Sequence, residues 1–414
     1  DNTRSPATTS GAARSVGLRL TLDSGPQFRL GQLRITGVER FDEETVRNLL
    51  DFRPGEAYTE ALLAEWQRLL QRSELFEAAI VELVADPEQA AAATVDVRLR
   101  EMPRQQTTVG VGYSSDTAAR ATLDYIHRRP FGWRVVSSSR LEIGNEKNAF
   151  STQLITYPQP DHYRDLASID LERLDQAQEV RTSAALRLGR SQDRVFFARQ
   201  YFLAVQSATV ESAAPKTSAQ AVTANYNWVT RDIDSIALPT RGTVLAVELA
   251  GGYTYKTIAE TGPLARLQAT LTGYRPLDQD WNLRWRLQAG EVFAGGATGV
   301  PDTLLFRAGG QDSVRGYAYR SLGPVVNGAV TSGRMLLTGS VELARPLLEQ
   351  LPSLWGAIFV DAGNASDSWK SMRPVYGVGP GIRWRSPVGA LRLDFPYAVE
   401  DRRWRIEVSL GIAP

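Results

Sequence analysis

The residue types that usually carry out chemistry are scarce in this sequence. It has no cysteine and only two histidines, His127 and His162, which lie on different segments without a second ligand residue nearby. A thiolate or imidazole metal site is therefore not expected. No GxSxG, Walker or HExxH motif occurs along the chain. The sequence thus predicts a protein that is not an enzyme and that uses neither a metal nor a cofactor.

One arginine stands in a segment where it could bind carboxylates. Arg315 follows Gly309 and Gly310 and precedes Gly316, within a connection that spans about 294–333. Glycine permits a tight turn against a wall, and so long a connection is usually functional or disordered. The residues alone leave two readings open: an exposed loop arginine, or a buried one that needs acidic partners because an unpaired buried charge is costly.

Charge and hydropathy exclude two further classes of protein. The net charge is +1, with 47 basic and 46 acidic residues, so the chain carries no electrostatic footprint for nucleic acid. No run approaches the roughly 18 consecutive apolar residues of a transmembrane helix. Transmembrane β-strands remain possible, because apolar and polar residues alternate along them and their mean hydropathy is therefore low.

The segment 25–103 predicts a small domain with the order strand, helix, helix, strand, strand. Strands are predicted over 28–38, 76–84 and 94–100, and helices start near Asp42 and Thr59. The second helix carries an apolar stripe, which we interpret as core: Leu62, Leu63, Trp66, Leu69 and Leu70.

An internal repeat precedes this domain. Ser15–Thr21 resembles residues 94–100, so we interpret 1–24 as the end of a preceding, truncated repeat of the same domain. Coincidence between two alternating strands is the alternative.

From residue 104 to 414 the hydrophobic period is two. Leu391 and Leu393, for example, oppose Arg392 and Asp394. A soluble antiparallel sheet also alternates, but segments of about 9–12 residues, arginines on the polar face and aromatic residues near the strand ends favour a membrane barrel. Sixteen segments are counted, with fourteen as the alternative count. The sequence predicts a mainly β fold in which a 16-stranded antiparallel transmembrane β-barrel follows the βααββ domain.

The same alternation assigns two acidic residues to the inward face. Ile358 and Val360 fall on the lipid-facing phase, which directs Asp361 inward, and Val341 and Leu343 do the same for Glu342.

The join between the first and last strands is predicted to be weak. Glycines alternate along the first strand, and glycine leaves a strand little to pack. An open strand edge invites another strand to pair with it, although the glycines could equally make room for the inserted loop. The predicted seam comprises Val109, Gly110, Val111, Gly112, Val408, Leu410 and Gly411.

Several motifs in chain order resemble one known family. The N-terminal unit, with Phe28–Gly31 at its start, resembles a POTRA domain. Three later segments resemble motifs of the outer-membrane assembly superfamily of BamA, TamA and the two-partner secretion transporters: Val314-Arg315-Gly316-Tyr317, Phe359–Asn364 and Gly381–Gly389. Gly309–Pro324 is most similar to the TamA branch, and the resemblance covers nearly the whole chain.

The resemblance implies a location, a site and partners. It implies a barrel in the bacterial outer membrane, a POTRA domain in the periplasm, and a loop folded into the lumen where Arg315 pairs with Asp361 and Glu342. The implied function is insertion or secretion of client proteins, such as autotransporters, through the seam. Implied partners are a TamB-like inner-membrane-anchored protein, unfolded outer-membrane clients and the lipid bilayer.

Two other functions stay open. A two-partner secretion transporter would pass its client through the lumen, and a passive porin would let small solutes through an arginine-rich interior. For the POTRA sheet, pairing with an extended partner at its edge and a role as a mere spacer are both possible.

Overall fold

Two units make up the computed structural model, an N-terminal domain and a closed barrel. The structure describes residues 25–176, 179–194, 196–235, 239–277, 280–348, 350–386 and 389–411. The partial repeat predicted at 1–24 lies outside the described residues.

The N-terminal domain, residues 25–103, packs two helices on a three-stranded sheet. Its elements are β1 (Leu30–Thr36), α1 (Glu43–Leu50), α2 (Glu60–Arg72), β2 (Phe76–Leu83) and β3 (Ala93–Glu101). The strand order is β1-β3-β2, with β1 parallel and β2 antiparallel to β3.

Helix α2 begins where the sequence predicts it and buries three of the five residues of the predicted stripe, while Leu62 and Leu69 are half-buried. The Thr59 hydroxyl accepts a hydrogen bond from the Leu62 N–H at 3.2 Å, which satisfies one free donor of the first turn. Leu63, Trp66 and Leu70 are buried against the sheet. Among the helices of the described chain, none has the length and apolar character needed to cross a membrane.

The barrel is antiparallel throughout and closed, and two of its strands are interrupted. In chain order the strands are β4 (Gln105–Ser114), β5 (Ala118–His127), β6 (Val135–Gly144), β7 (Lys147–Thr156), β8 (Tyr163–Gln176), β9 (Glu179–Asp193), β10 (Phe197–Glu211), β11 (Thr217–Ile233), β12 (Gly242–Thr257), β13 (Gly262–Pro276), β14 (Asn282–Ala294), the short hairpin β15 (Val325–Val326) and β16 (Ala329–Val330), β17 (Met335–Leu348), β18 (Leu351–Ser366), β19 (Val375–Ser386), β20 (Gly389–Asp394), β21 (Tyr397–Ala398), β22 (Arg403–Trp404) and β23 (Glu407–Gly411).

The predicted count of sixteen strands is confirmed. β20 and β21 form one strand and β22 and β23 another, each broken by two residues, while β15 and β16 lie outside the barrel wall. Several strands are longer than the predicted 9–12 residues; β11 has 17. The far rim, which carries the turn after β4, stands opposite the near rim that faces the N-terminal domain.

Side chains alternate across the wall as the period of two requires. Ile358 and Val360 are 54% and 51% exposed on the outside, whereas Asp361, the next residue on the inward phase, is 1% exposed. An apolar outer surface of this kind is stable against lipid and would be unfavourable in water.

Among the described residues, the closing pair of strands forms the shortest joint of the wall. Within the described residues, β4 and β23 share three residue pairs, the outermost being Ser114 with Ser409. By contrast, β11 and β12 share fifteen pairs. Most of β4 therefore borders the seam without a described partner strand.

The connection between β14 and β17 folds into the barrel instead of extending from the far rim. Its residues Val314, Arg315 and Tyr317 are at most 4% exposed. On the near side of this loop the lumen keeps a polar cavity of about 810 Å³, whose lining includes Asp124, Arg140 and Glu74 of the N-terminal domain.

The N-terminal domain docks onto the near rim through buried contacts. The Tyr157 ring lies edge-on to Phe41 at 5.7 Å, and its hydroxyl donates to the Arg128 carbonyl oxygen. Arg128 in turn donates to the Glu74 carbonyl oxygen at 2.6 Å. Tyr157 therefore belongs to the core of the domain although it follows a barrel strand.

Replacing Tyr157 by alanine should loosen this docking without unfolding the barrel. Loss of a buried ring typically costs about 3 kcal/mol, so amide hydrogen exchange around Phe41 should accelerate. Tyr201→Ala, which removes an outward-facing ring that is 40% exposed, is the control. Equal exchange in the two variants would contradict the docking role.

Candidate functional site

Arg315 is the centre of a buried cluster of charges inside the barrel. Its Nε and one terminal nitrogen donate to the two oxygens of Asp361 at 2.6 and 2.8 Å. The other terminal nitrogen donates to Glu342 at 2.7 Å. Its backbone N–H also donates to Asp361, at 3.0 Å. The planar fork of a guanidinium suits this two-pronged contact, which a lysine could not make.

Other inward residues complete the neutralisation. Arg383 donates to Glu342 at 2.8 Å and to Asp394 at 2.7 Å, and Arg392 donates to Asp394 at 2.8 Å. Three arginines thus share three carboxylates, so the cluster carries no net charge. The Arg315 guanidinium also lies over the Phe359 ring, 3.5 Å from its centroid, which adds a cation–π contact.

The alternation of three neighbouring strands brings these residues together. Glu342 lies on β17, Asp361 on β18 and Arg383 on β19, each on the inward phase. The family resemblance predicts Asp361 and Glu342 as partners of Arg315, but it does not predict Arg383, Asp394 or Phe359. Arg392 and Asp394 fall on the polar phase of their strand, opposite Leu391 and Leu393. The sequence therefore contains a signal that these two side chains face the lumen.

Glycines on β19 create the space for the loop. A Cβ on Gly377 would overlap the Arg315 carbonyl oxygen, and one on Gly381 would overlap the Asp394 carboxylate. Gly316 has a φ of 96°, in the left-handed region that favours glycine. The glycine run 377–381 is therefore a recess in the wall, a role that the sequence pattern alone does not predict.

The rest of the motif anchors the loop further along the wall. Val314 is fully buried beside Ala398 and Tyr317. The Tyr317 hydroxyl donates to Glu400, whose carboxylate also accepts the Tyr376 N–H at 2.9 Å. Tyr317 thus ties the loop to the far-rim hairpin that precedes the last strand.

The residues of the predicted seam divide between the two faces of the wall. Val109 and Val111 are 72% and 58% exposed on the outside, while Gly110 and Gly112 face inward. Leu410 pairs with Tyr113, and Gly411 with Gly112. Val408 contacts the turn after β4, where its carbonyl oxygen accepts the Ser115 N–H at 2.9 Å.

The Asp116 carboxyl, at the far rim, contacts the loop from the side of the first barrel strand, β4. Asp116, in the turn between β4 and β5, accepts the Gln311 N–H at 3.1 Å. Burial raises the pKa of Asp116 to about 6, and the Gln311 N–H partly opposes that rise. Above that pH the carboxyl is therefore mostly charged.

Two family models match the chain. Residues 105–413 match the Omp85 superfamily domain, and residues 28–102 match the POTRA family, described as the surface antigen variable number repeat. The first match alone covers most of the sequence.

Curated relatives match over shorter segments. The chain is 32% identical to the outer membrane protein assembly factor BamA of Nitratidesulfovibrio vulgaris over 202 residues, which are 44% of this chain and 24% of that protein. It is 37% identical to the chloroplastic outer envelope protein 39 of Arabidopsis thaliana over 101 residues, which are 22% of this chain and 25% of that protein. The chain thus spans about a quarter of the length of these relatives.

Solved structures share the fold over nearly the whole chain. BamA from Haemophilus ducreyi lacking POTRA domains 1–3 aligns with a TM-score of 0.72 at 15% identity, covering 94% of this chain and 85% of that one. CdiB from Acinetobacter baumannii aligns with a TM-score of 0.62 at 14% identity, covering 93% and 74%.

Arg315→Ala should release the loop from the wall. It leaves Asp361 and Glu342 without their main partner, and breaking a buried pair costs about 3–5 kcal/mol. We expect faster proteolysis within the loop and a lower temperature for loss of the compact barrel form on gels. Arg402→Ala, at an exposed far-rim position, is the control, and an unchanged Arg315→Ala protein would contradict the role of this cluster.

Gly377→Ala should displace the loop even though every charge stays in place. The added methyl group would overlap the Arg315 carbonyl oxygen. Gly339→Ala on the neighbouring β17 is a matched control, because its Cβ would meet no atom closer than 3.9 Å. Proteolysis of the loop should rise in the first variant only; equal rates would argue against the recess.

Proposed function

Because the chain belongs to the Omp85 superfamily, we propose that it is a TamA-like assembly factor of the bacterial outer membrane. It inserts or secretes client proteins through the seam between β4 and β23, without catalysis and without a cofactor. The single observation that carries this proposal is the seam itself, where three residue pairs join β4 to β23 in the part of the chain that the structure describes.

The seam suits strand addition. The inner part of β4 offers backbone groups that a client strand could pair with, and its outward Val109 and Val111 already face lipid. A client that adds here would gain hydrogen bonds and a lipid-exposed apolar face at once. Folding of the client therefore supplies the free energy, and no nucleotide is needed.

The lumen supports release sideways more than passage along the axis. The loop with Arg315 occupies the lumen on the far side, and the turn with Glu74 borders the cavity on the near side. Transport through the lumen, as in a two-partner secretion transporter or a porin, would require both obstacles to move.

The N-terminal domain is proposed to lie in the periplasm and to receive partners. Strand β2 is an edge of its sheet, and Ile80 on it is 46% exposed. Such an edge can accept an extended strand. We propose a TamB-like inner-membrane-anchored protein as the partner there, and unfolded outer-membrane proteins, including autotransporters, as clients.

A disulfide across the seam tests the proposal directly. Ser114 and Ser409 are directly paired, and paired positions in an antiparallel sheet lie within the Cα range of a disulfide. Since the chain has no cysteine, Ser114→Cys/Ser409→Cys forms one defined bridge. Client insertion into vesicles should fall to background when it is oxidised and recover on reduction.

A second bridge controls for the chemistry. Thr209→Cys/Ser218→Cys joins β10 to β11, whose hydroxyls lie 3.0 Å apart in a fully paired hairpin. It should leave insertion intact in both redox states. If the oxidised Ser114→Cys/Ser409→Cys protein inserted clients as well as the reduced protein, the lateral mechanism would be wrong and passage through the lumen would be favoured.

A further inference from the structure

The loop contacts both sides of the seam through backbone donors only five residues apart. The Gln311 N–H donates to Asp116, which follows β4, at 3.1 Å. The Gly316 N–H donates to Glu407, the first residue of β23, at 2.8 Å. The segment 311–316 therefore bridges the joint that the wall itself closes poorly.

The two acceptors face each other across the seam. Ser114 pairs with Ser409, and the Ser115 N–H donates to the Val408 carbonyl oxygen. Asp116 is the middle residue of the turn that follows β4, close enough to Glu407 for their two charges to interact. Like charges repel each other, so this end of the seam is destabilised unless other contacts compensate.

Compensation at Glu407 comes from the loop. Glu407 is 3% exposed, and its Oε2 has no hydrogen-bond partner within the described residues. The contact from Gly316 thus meets a carboxylate that would otherwise be buried without a donor, which is costly. Gly316 also sits against Ala398, where a side chain would crowd the wall.

We propose that Asp116 and Glu407 are positioning residues that form a charge-repulsion latch on the seam, held shut by the backbone N–H groups of Gln311 and Gly316. When the loop engages the wall, its donors hydrogen-bond to both carboxylates and join the two sides of the seam, so the first and last strands stay together. When the loop withdraws, the two charges push the strands apart. This inference rests on the proposed function, for which it supplies the control of seam opening.

The test removes a donor and then removes the repulsion. Gln311→Pro deletes the N–H that Asp116 accepts, so amide hydrogen exchange in β4, measured in detergent without client, should accelerate about tenfold. Gln311→Ala keeps that N–H and should exchange like the unaltered protein. In Gln311→Pro/Asp116→Asn one charge is gone, and exchange should return towards the unaltered rate.

Two results would overturn the latch. One is acceleration by Gln311→Ala as large as by Gln311→Pro, since the backbone donor is then irrelevant. The other is a double variant that stays as fast as Gln311→Pro, since repulsion is then absent. Should the proline variant fail to fold, Asp116→Asn alone still decides: its amide oxygen can accept the Gln311 N–H, so exchange at or below the unaltered rate supports the latch and a rise refutes it.

Client insertion by the same variants separates this inference from the proposed function. Asp124→Asn, on a lumen carboxylate that binds Arg140 at 2.5 Å, is the matched control for loss of a charge. Amide exchange in β4 could respond as described while client insertion stays constant across the variants. That result would support the latch and contradict lateral insertion. If exchange does not respond, the latch falls whatever insertion does.

Discussion

A guanidinium inside a barrel must be paired, and this constraint organises the interior of the protein. Arg315 is 2% exposed, so an incomplete set of partners would leave a buried charge unpaired, at a cost of about 3–5 kcal/mol. Its partners come from β17 and β18, and Arg383, Arg392 and Asp394 complete a cluster of three arginines and three carboxylates. Those strands therefore form a charge-balanced wall, with the glycine recess of β19 beside it.

A second constraint acts on the outside. A barrel normally removes the exposed edges of a sheet, yet here the closing strands share three pairs among the described residues. The loop contacts Asp116, Glu407 and Glu400 at this same end of the wall. The Arg315 cluster and the seam are thus linked through a few residues of one loop.

Much of this architecture could be predicted, because the relevant signals are local. A period of two over long segments indicates strands that separate lipid from lumen, and counting them yields sixteen. The order strand, helix, helix, strand, strand is legible in 25–103 because Thr59 and the apolar stripe of α2 are short-range features. The inward phase of Asp361 and Glu342 also follows from their neighbours, and both residues contact Arg315.

The sequence by itself determined which side chains face lipid, which face the lumen, and which residues form the strands. Only the tertiary structure decided which inward groups meet. In the sequence, Gly377 is only a glycine that would weaken a strand, whereas in the structure the Arg315 carbonyl oxygen lies against it. In the same way, Glu407 is one polar residue among many in the sequence, whereas in the structure it accepts the Gly316 N–H. Alternation is a property of neighbours along the chain, whereas these contacts join residues about sixty to ninety positions apart, so they depend on strand register and on the path of the loop, which local patterns do not encode.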